Sequence, residues 1–331
     1  MYRVDSIHRR AATAIAGVLA AVTLTAGFVV ADPAARQPQI PADPAGAFVY
    51  RNGRFTPLGG VDGASSAAHI NLNDRGQVVG FYLDAQGTVA SFVKDRRGQV
   101  TTFAVPGAGA TFAAGINDRG QIAGTYYDPG FTLGGGKPPS GTVHGFVREP
   151  DGGITRIDLP SPFDGGGVTD INDRGQVVGQ TADADGRGLG FLREPDGTVT
   201  VIDVPGSQQV DYPLAVNNRG QVVGSYTDAG APPNRFAANT RHGFVWDGGR
   251  LTRFDVPGSV ATVPFGVNDR GEITGGYADE TDQRHGFVLE RGRYTTIDIP
   301  GRPEHTAAWG INDRGEIVTP DLGTGLGEVT F

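Results

Sequence analysis

Six times the chain returns to one phrase: an aliphatic residue, Asn, Asp or Asn, Arg, Gly, then Gln or Glu and an apolar run. Asn73, Asn117, Asn172, Asn217, Asn268 and Asn312 mark it, at intervals of 44, 55, 45, 51 and 44 residues. A period in the forties is the signature of a solenoid or a propeller, in which one small unit is stacked rather than one large core built once. A second landmark is a Phe, at Phe48, Phe92, Phe146, Phe191, Phe244 and Phe287. From each Phe to the next Asn the count is 24 to 26, whereas from Asn to the following Phe it is 19 except in the second and fourth units, where it is 29 and 27. All the irregularity therefore sits in one connection.

Each unit carries four short runs of β-branched and aromatic residues bounded by Gly, Asp, Asn or Pro, which read as strands. The second unit shows them as "TFAAGI", "QIAGTYY", "HGFVRE" and "ITRIDLP". Four strands in about 44 residues make one propeller blade. The expected fold is all-β, a six-bladed β-propeller of four-stranded antiparallel blades. The chain begins with third and fourth strands ("AFVYRNGRFTPL") and ends with first and second strands ("TAAWGINDRGEIV"), so the last blade is expected to be closed by strands from both termini. Such closure removes the open sheet edges that invite aggregation.

The repeated phrase specifies a turn. Asn bonds its own backbone two residues on, and Gly takes the left-handed position that closes a hairpin with a bulge. The structural turn residues are then Asn73 and Gly76, Asn117 and Gly120, Asn172 and Gly175, Asn217 and Gly220, Asn268 and Gly271, and Asn312 and Gly315. The Arg between them repeats six times as well. Each except Arg219 follows an Asp, so local Arg–carboxylate pairing is expected rather than a ring for a polyanion.

The first thirty-one residues stand apart. Arg3, His8, Arg9 and Arg10 precede an uncharged run from Ala11 to Val30, and Val29-Val30-Ala31 fits a cleavage signal. Residues 1–31 are read as a secretory signal peptide, with an uncleaved membrane anchor as the alternative. A Pro/Ala-rich linker follows over 32–45, then the repeat domain over 46–331. Removing three Arg and one Asp with the signal leaves 25 basic and 35 acidic side chains, a formal charge of −10. That balance argues against nucleic acid and against any membrane partner beyond such an anchor. The chain has no Cys, which excludes disulfides and thiol chemistry.

In a pseudo-symmetric ring a site must come from what differs between units. Two insertions differ, at 128–143 and 227–241, both between second and third strands. Phe131, Lys137, Arg235 and Phe236 are the contact residues expected there, because insertions on one face of a repeat array commonly form its binding surface. The links into the first strands also vary. His69, Asp211, Tyr212, Glu304, His305 and Trp309 would gather near the mouth of a central channel, where an acid, a base and an aromatic could hold a sugar or perform acid–base work. Asp211, Glu304 and His305 are the catalytic candidates; His69, Tyr212 and Trp309 are binding candidates. His144, His242 and His285 occupy one position in three units, too far apart for one metal, and are expected to cap the third strand. No metal and no cofactor is expected.

Units of the form "HGFV…T.IDVPG…GINDRGQVVG" resemble the bacterial extracellular HAF-repeat family, named for a triplet that here reads "HGF" three times and "GAF", "ASF" and "LGF" elsewhere. The likeness spans about Gly46 to Val318. It implies a secreted repeat protein and brings no catalytic residues with it. The expectation is a secreted, non-catalytic propeller that binds an extracellular glycan or protein through the insertion-bearing face. The alternative is a polysaccharide hydrolase or lyase working at the channel mouth.

Overall fold

The computed structural model describes residues 47–131, 141–160, 163, 166–230, 241–281, 283–300 and 306–320. Among them every regular element is a strand. The signal and linker segments, the tips of both insertions and the tail after Pro320 lie outside the described residues.

Three units each form a separate four-stranded antiparallel sheet in chain order. The sheet of the third unit, for example, runs Gly167–Ile171, Val177–Ala182, Gly188–Arg193, Val199–Ile202. The first two units have the same four-strand order and meet at a single parallel bridge between Val89 and Ala110. The chain ends pair as the sequence suggests: Ala47–Arg51 lies antiparallel to Arg54–Pro57 on one side and to Ile317–Pro320 on the other. Trp309 N–H donates to the Val318 carbonyl at 2.8 Å, and Val318 N–H to the Gly310 carbonyl at 3.0 Å, so 309–310 forms the innermost edge of this composite sheet.

The second strand and the third are coupled by one recurring pair. Gly80 faces Phe92, Gly124 faces Phe146, Gly179 faces Phe191, Gly224 faces Phe244 and Gly275 faces Phe287 across the ladder. All six landmark Phe side chains are fully buried. A Cβ on Gly124 would lie 2.1 Å from the Phe112 carbonyl oxygen and 2.9 Å from the Phe146 ring. The missing side chain is what lets the ring lie flat over the sheet, which is why the "VVG" and "GF" phrases travel together. In the composite sheet Thr319 replaces that Gly opposite Phe48.

First strands of the second and third units are buried except at Ala114, whereas the fourth strands each expose two adjacent residues, Thr155 and Arg156, and Thr200 and Val201. Five of the first strands carry a register shift two or three residues before their Asn. Such a bulge bends the strand and re-aims a side chain.

Candidate functional site: the axial channel

Each repeated turn has the expected geometry. In the first, Gly76 N–H donates to the Asn73 carbonyl at 3.0 Å, Asn73 N–H to the Gln77 carbonyl at 3.1 Å, and Gly76 has φ of 73°. Asn73 Oδ1 accepts from Gln77 N–H at 3.0 Å. In the second turn Asn117 Oδ1 also accepts from Arg119 N–H at 3.1 Å, the bond to the residue two positions on.

The same Asn does more than close its own hairpin. Its Nδ2 donates to the backbone carbonyl of the next unit's Asn: Asn73 to Asn117, Asn117 to Asn172, Asn172 to Asn217, Asn217 to Asn268, Asn268 to Asn312, and Asn312 back to Asn73, at 2.9 to 3.1 Å. A second cycle runs beside the first. The N–H of the residue after each Asn donates to the side-chain oxygen of its counterpart, in the order Asp74, Asp118, Asp173, Asn218, Asp269, Asp313 and back to Asp74, at 2.6 to 2.9 Å. The six Asn are buried, and every polar atom of their amides is used.

Five carboxylates and one amide thus ring one end of an axial cavity of about 80 Å³. Asn218 relieves the like-charge crowding: its Nδ2 donates at 2.8 Å to Oδ2 of both Asp173 and Asp269. Two positions further round on either side, burial raises the carboxyls of Asp118 and Asp313 above the ordinary range. Backbone hydrogen bonds oppose the rise, and the charges of Asp74 and Asp173, or of Asp269 and Asp74, add to it.

Deeper in the cavity stands Asp170, which the sequence reasoning missed. It is 5% exposed. Its Oδ1 accepts from Asn71 Nδ2 at 3.1 Å and its Oδ2 from Val216 N–H at 2.9 Å, so one side chain ties the first, third and fourth units together. Burial pushes its carboxyl up to about 7, against the opposing pull of hydrogen bonds from Val216 and Ile171. Glycines make room for the pair. A Cβ on Gly115 would lie 2.4 Å from Asp170 Oδ1, and one on Gly310 2.3 Å from Asn71 Oδ1. The signal was available: two residues before the repeated Asn the chain reads Asn71, Gly115, Asp170, Ala215, Gly266 and Gly310, and only Asp170 is ionisable.

Among the described residues the expected local Arg–carboxylate pairing appears at two of the six repeated Arg, and its partner is not the preceding Asp. That Asp is occupied in the second cycle. Arg270 and Arg314 instead meet the Glu two residues on, at 2.5 and 2.6 Å, and Arg174 and Arg219 meet the corresponding Gln. Arg219 and Arg270 also reach the Asp269 and Asp313 carbonyls of the next unit.

Asp211 stands in one cluster and Trp309 and Phe131 in another. Asp211 is 3% exposed and fully engaged: Gln209 Nε2 donates to Oδ1 at 2.6 Å, Thr227 Oγ1 donates to Oδ2, and Arg241 Nε stands 3.9 Å from Oδ2. Trp309 is buried in an apolar cluster with Ala68, Phe81, Phe112 and Tyr127, its ring 5.7 Å from that of Phe265. Phe131 roots the first insertion in the same cluster, stacked on Tyr127 at 4.1 Å. His69 and Tyr212 lie within the first strands Ala64–Leu72 and Ser207–Val216, opposite Gly80 and Ser225. Lys137, Arg235, Phe236, Glu304 and His305 lie outside the described residues.

No protein-family model and no curated protein sequence matches the chain. Solved structures similar to it include virginiamycin B lyase from Staphylococcus aureus, at 13% identity over 80% of this chain and 79% of that one, TM-score 0.45. TolB from Acinetobacter baumannii follows at 10% identity and TM-score 0.48, where the matched region is 77% of this chain and about half (54%) of TolB. AofleA from Arthrobotrys oligospora is similar at 11% identity over 74% and 76%, TM-score 0.44. Likenesses this distant leave fold and activity to be argued from the chain's own geometry.

The three equivalent histidines work within their sheets. His144 meets Asp128 at 3.1 Å, His242 stands between Asp255 at 2.9 Å and Asp228 at 3.1 Å, and His285 lies 3.1 Å from Asp298. Each packs on the Tyr opposite it: Tyr126, Tyr226 and Tyr277. They tie the start of the third strand to the end of the second or fourth. Among the described residues no group of His, Asp or Glu is placed to hold a metal ion.

Proposed function

We propose that the chain is a secreted, non-catalytic binding scaffold, a six-bladed β-propeller of the HAF-repeat type. Its ligand is an extracellular glycan or protein, held by the face that carries the 128–143 and 227–241 insertions. The observation that carries this reading is the pair of hydrogen-bond cycles, each with six members, one from every unit. Side chains near the axis are committed to holding units together, and Asp211, a catalytic candidate, is committed to Thr227 and Arg241. A group already ion-paired and buried is a poor general acid or base, because it must break those bonds to reach a substrate. The insertions are rooted firmly, the first through the Phe131–Tyr127 stack and the second through Arg241 beside Asp211. That gives a variable surface on a rigid base, the arrangement binding loops favour.

The test is glycan-array and pull-down screening of the full chain beside variants lacking 132–140 or 231–240. Loss of the captured ligand in either deletion supports the assigned face. Unchanged capture in both removes it, and turnover of a polysaccharide abolished by Glu304→Gln would replace the scaffold with an enzyme. Recovery of the chain outside the cell with a new N-terminus near residue 32 tests the secretory reading.

A further inference from the structure

The sheet built from the two chain ends and the sheet of the first unit enclose a second cavity, of about 620 Å³. Six basic side chains line it, Arg51, Arg54, Lys94, Arg96, Arg97 and Arg314, against two acidic ones, Asp95 and Glu316. In a chain of net charge −8 this is a local inversion of sign.

The two acids do not neutralise the six bases. Asp95 Oδ1 is taken by its own turn, accepting from Arg97 N–H at 2.9 Å and Gln99 N–H at 2.8 Å. Glu316 is shared by Arg314 at 2.6 Å and Arg51 at 3.3 Å. Lys94 Nζ donates to the carbonyls of Leu58 and Gly59. Arg54, Arg96 and Arg97 are exposed and form no ion pair among the described residues. The aliphatic stem of Arg96 and the guanidinium of Arg314 flank the same glycine, each 3.4 Å from where a Gly76 Cβ would stand.

The turns differ between units: the fifth, Glu290-Arg291-Gly292-Arg293, also carries two Arg beside one acid, but none of these four residues lines the seam cavity. Where the first unit has Asp95-Arg96-Arg97 between its third and fourth strands, the second and third have Glu149-Pro150-Asp151 and Glu194-Pro195-Asp196, and Pro150 and Pro195 cover the equivalent glycines. The composite sheet has Arg51-Asn52-Gly53-Arg54 there, with no acid. These turns join third and fourth strands, at the opposite end of the sheets from the insertions, so the seam is a different surface from the one proposed above and can fail independently of it.

We infer that the seam cavity is a binding site for an acidic oligosaccharide, one whose sugars carry carboxylate or sulfate groups. Guanidinium forks match both anions in bidentate geometry, and three of them here form no ion pair among the described residues. The volume is that of a small-molecule or oligosaccharide cleft rather than of a single ion. Between the charges Val49, Pro57 and Leu58 offer an aliphatic wall for the C–H face of a sugar ring. Nucleic acid fits less well, since the lining holds no aromatic ring on which a base could stack.

The full chain is titrated calorimetrically with a galacturonate trisaccharide, a chondroitin sulfate tetrasaccharide, maltotriose and a short single-stranded oligonucleotide. Binding of one or both acidic sugars with none of maltotriose is expected, and which of the two binds assigns the anion. Arg54→Gln and Arg97→Gln should each weaken it about tenfold, the scale of one charge-assisted hydrogen bond, and raising the salt should weaken it further. Arg250→Gln, which removes the same charge from the equivalent turn of the fourth sheet, should leave it unchanged. Thermal unfolding of each variant checks that the fold is kept. The inference is overturned if neither acidic sugar binds, if Arg250→Gln costs as much as the seam variants, or if the oligonucleotide binds as tightly as the sugars.

Discussion

Asn312 Nδ2 donates to the Asn73 carbonyl at 3.0 Å, joining residues 239 apart in the chain by the same bond that joins neighbours elsewhere in the cycle. Removing it leaves the Asn73 carbonyl with only its turn donor, Gly76 N–H, and the lost Oδ1 also frees the N–H groups of Arg314 and Glu316. Asn312→Ala should therefore cost about 3 kcal/mol of unfolding free energy, the scale of several lost hydrogen bonds at about 1 kcal/mol each. Asn117→Ala should cost a similar amount, since its bonds are the same. Urea unfolding of both variants checks this. A much smaller loss at 312 than at 117 would mean that the two chain ends are not held together in solution.

Two kinds of glycine should separate cleanly. Gly124→Ala sets a Cβ against the Phe112 carbonyl and the Phe146 ring, with rigid neighbours on both sides. Overpacking of that sort costs on the order of 3 kcal/mol. Gly87 has φ of 80° and open space around it, so Gly87→Ala meets only the backbone penalty of the left-handed conformation, about 1 kcal/mol. Equal losses in a pairwise unfolding comparison would contradict the role given to the Phe–Gly pairs.

The repeat, the strand content and the pairing of the chain ends were legible because each depends on local chemistry recurring at fixed spacing. The turn at Asn73–Gly76 could be read from four residues. What those turns do to each other could not: the bond from Asn73 Nδ2 to Asn117 leaves its own unit, and no spacing within one unit encodes it. Asp211 looked like a free acid because Thr227 and Arg241, which occupy it, come from other strands. Asp170 was passed over because its depth depends on the bulge between Val168 and Asp170, where the register shifts. The seam was hidden for a related reason. Arg51 and Arg96 become neighbours only once the first and last segments have met.

His242 gives a pH signature of one sign. Burial works to lower its pKa, but the hydrogen bond and charge of Asp255 and the charge and hydrogen bond of Asp228 outweigh it, and the net shift is upward. A histidine raised on folding adds stability that is fully present below its unfolded value of about 6.5 and is lost as pH rises through the folded value. His242→Gln should cost about 1 kcal/mol at pH 6 and nothing measurable at pH 9, given that the pair is partly exposed. Unfolding midpoints at the two pH values decide it, and a cost that does not change with pH would show the ring acts by packing on Tyr226 alone.

Asp170 should give the opposite kind of evidence, from a carboxylate whose folded value of about 7 lies well above its unfolded 3.8. Between those values the folded chain holds a proton that the unfolded chain releases, so this group's contribution to stability falls as pH rises from about 4 to 7 and is level above that. The slope is at most about 1.4 kcal/mol per pH unit. Asp118 and Asp313, also raised, tilt the whole chain the same way, so the group is isolated by difference. Asp170→Asn keeps the size of the side chain and cannot ionise. Measured against the parent, it should therefore gain about 2 kcal/mol of relative stability between pH 5 and pH 8, even if it is less stable at pH 5 through its altered bond to Val216. A constant difference across that range would mean that the carboxyl is already ionised at pH 5, with Asn71 Nδ2 and the backbone N–H groups outweighing the cost of its burial.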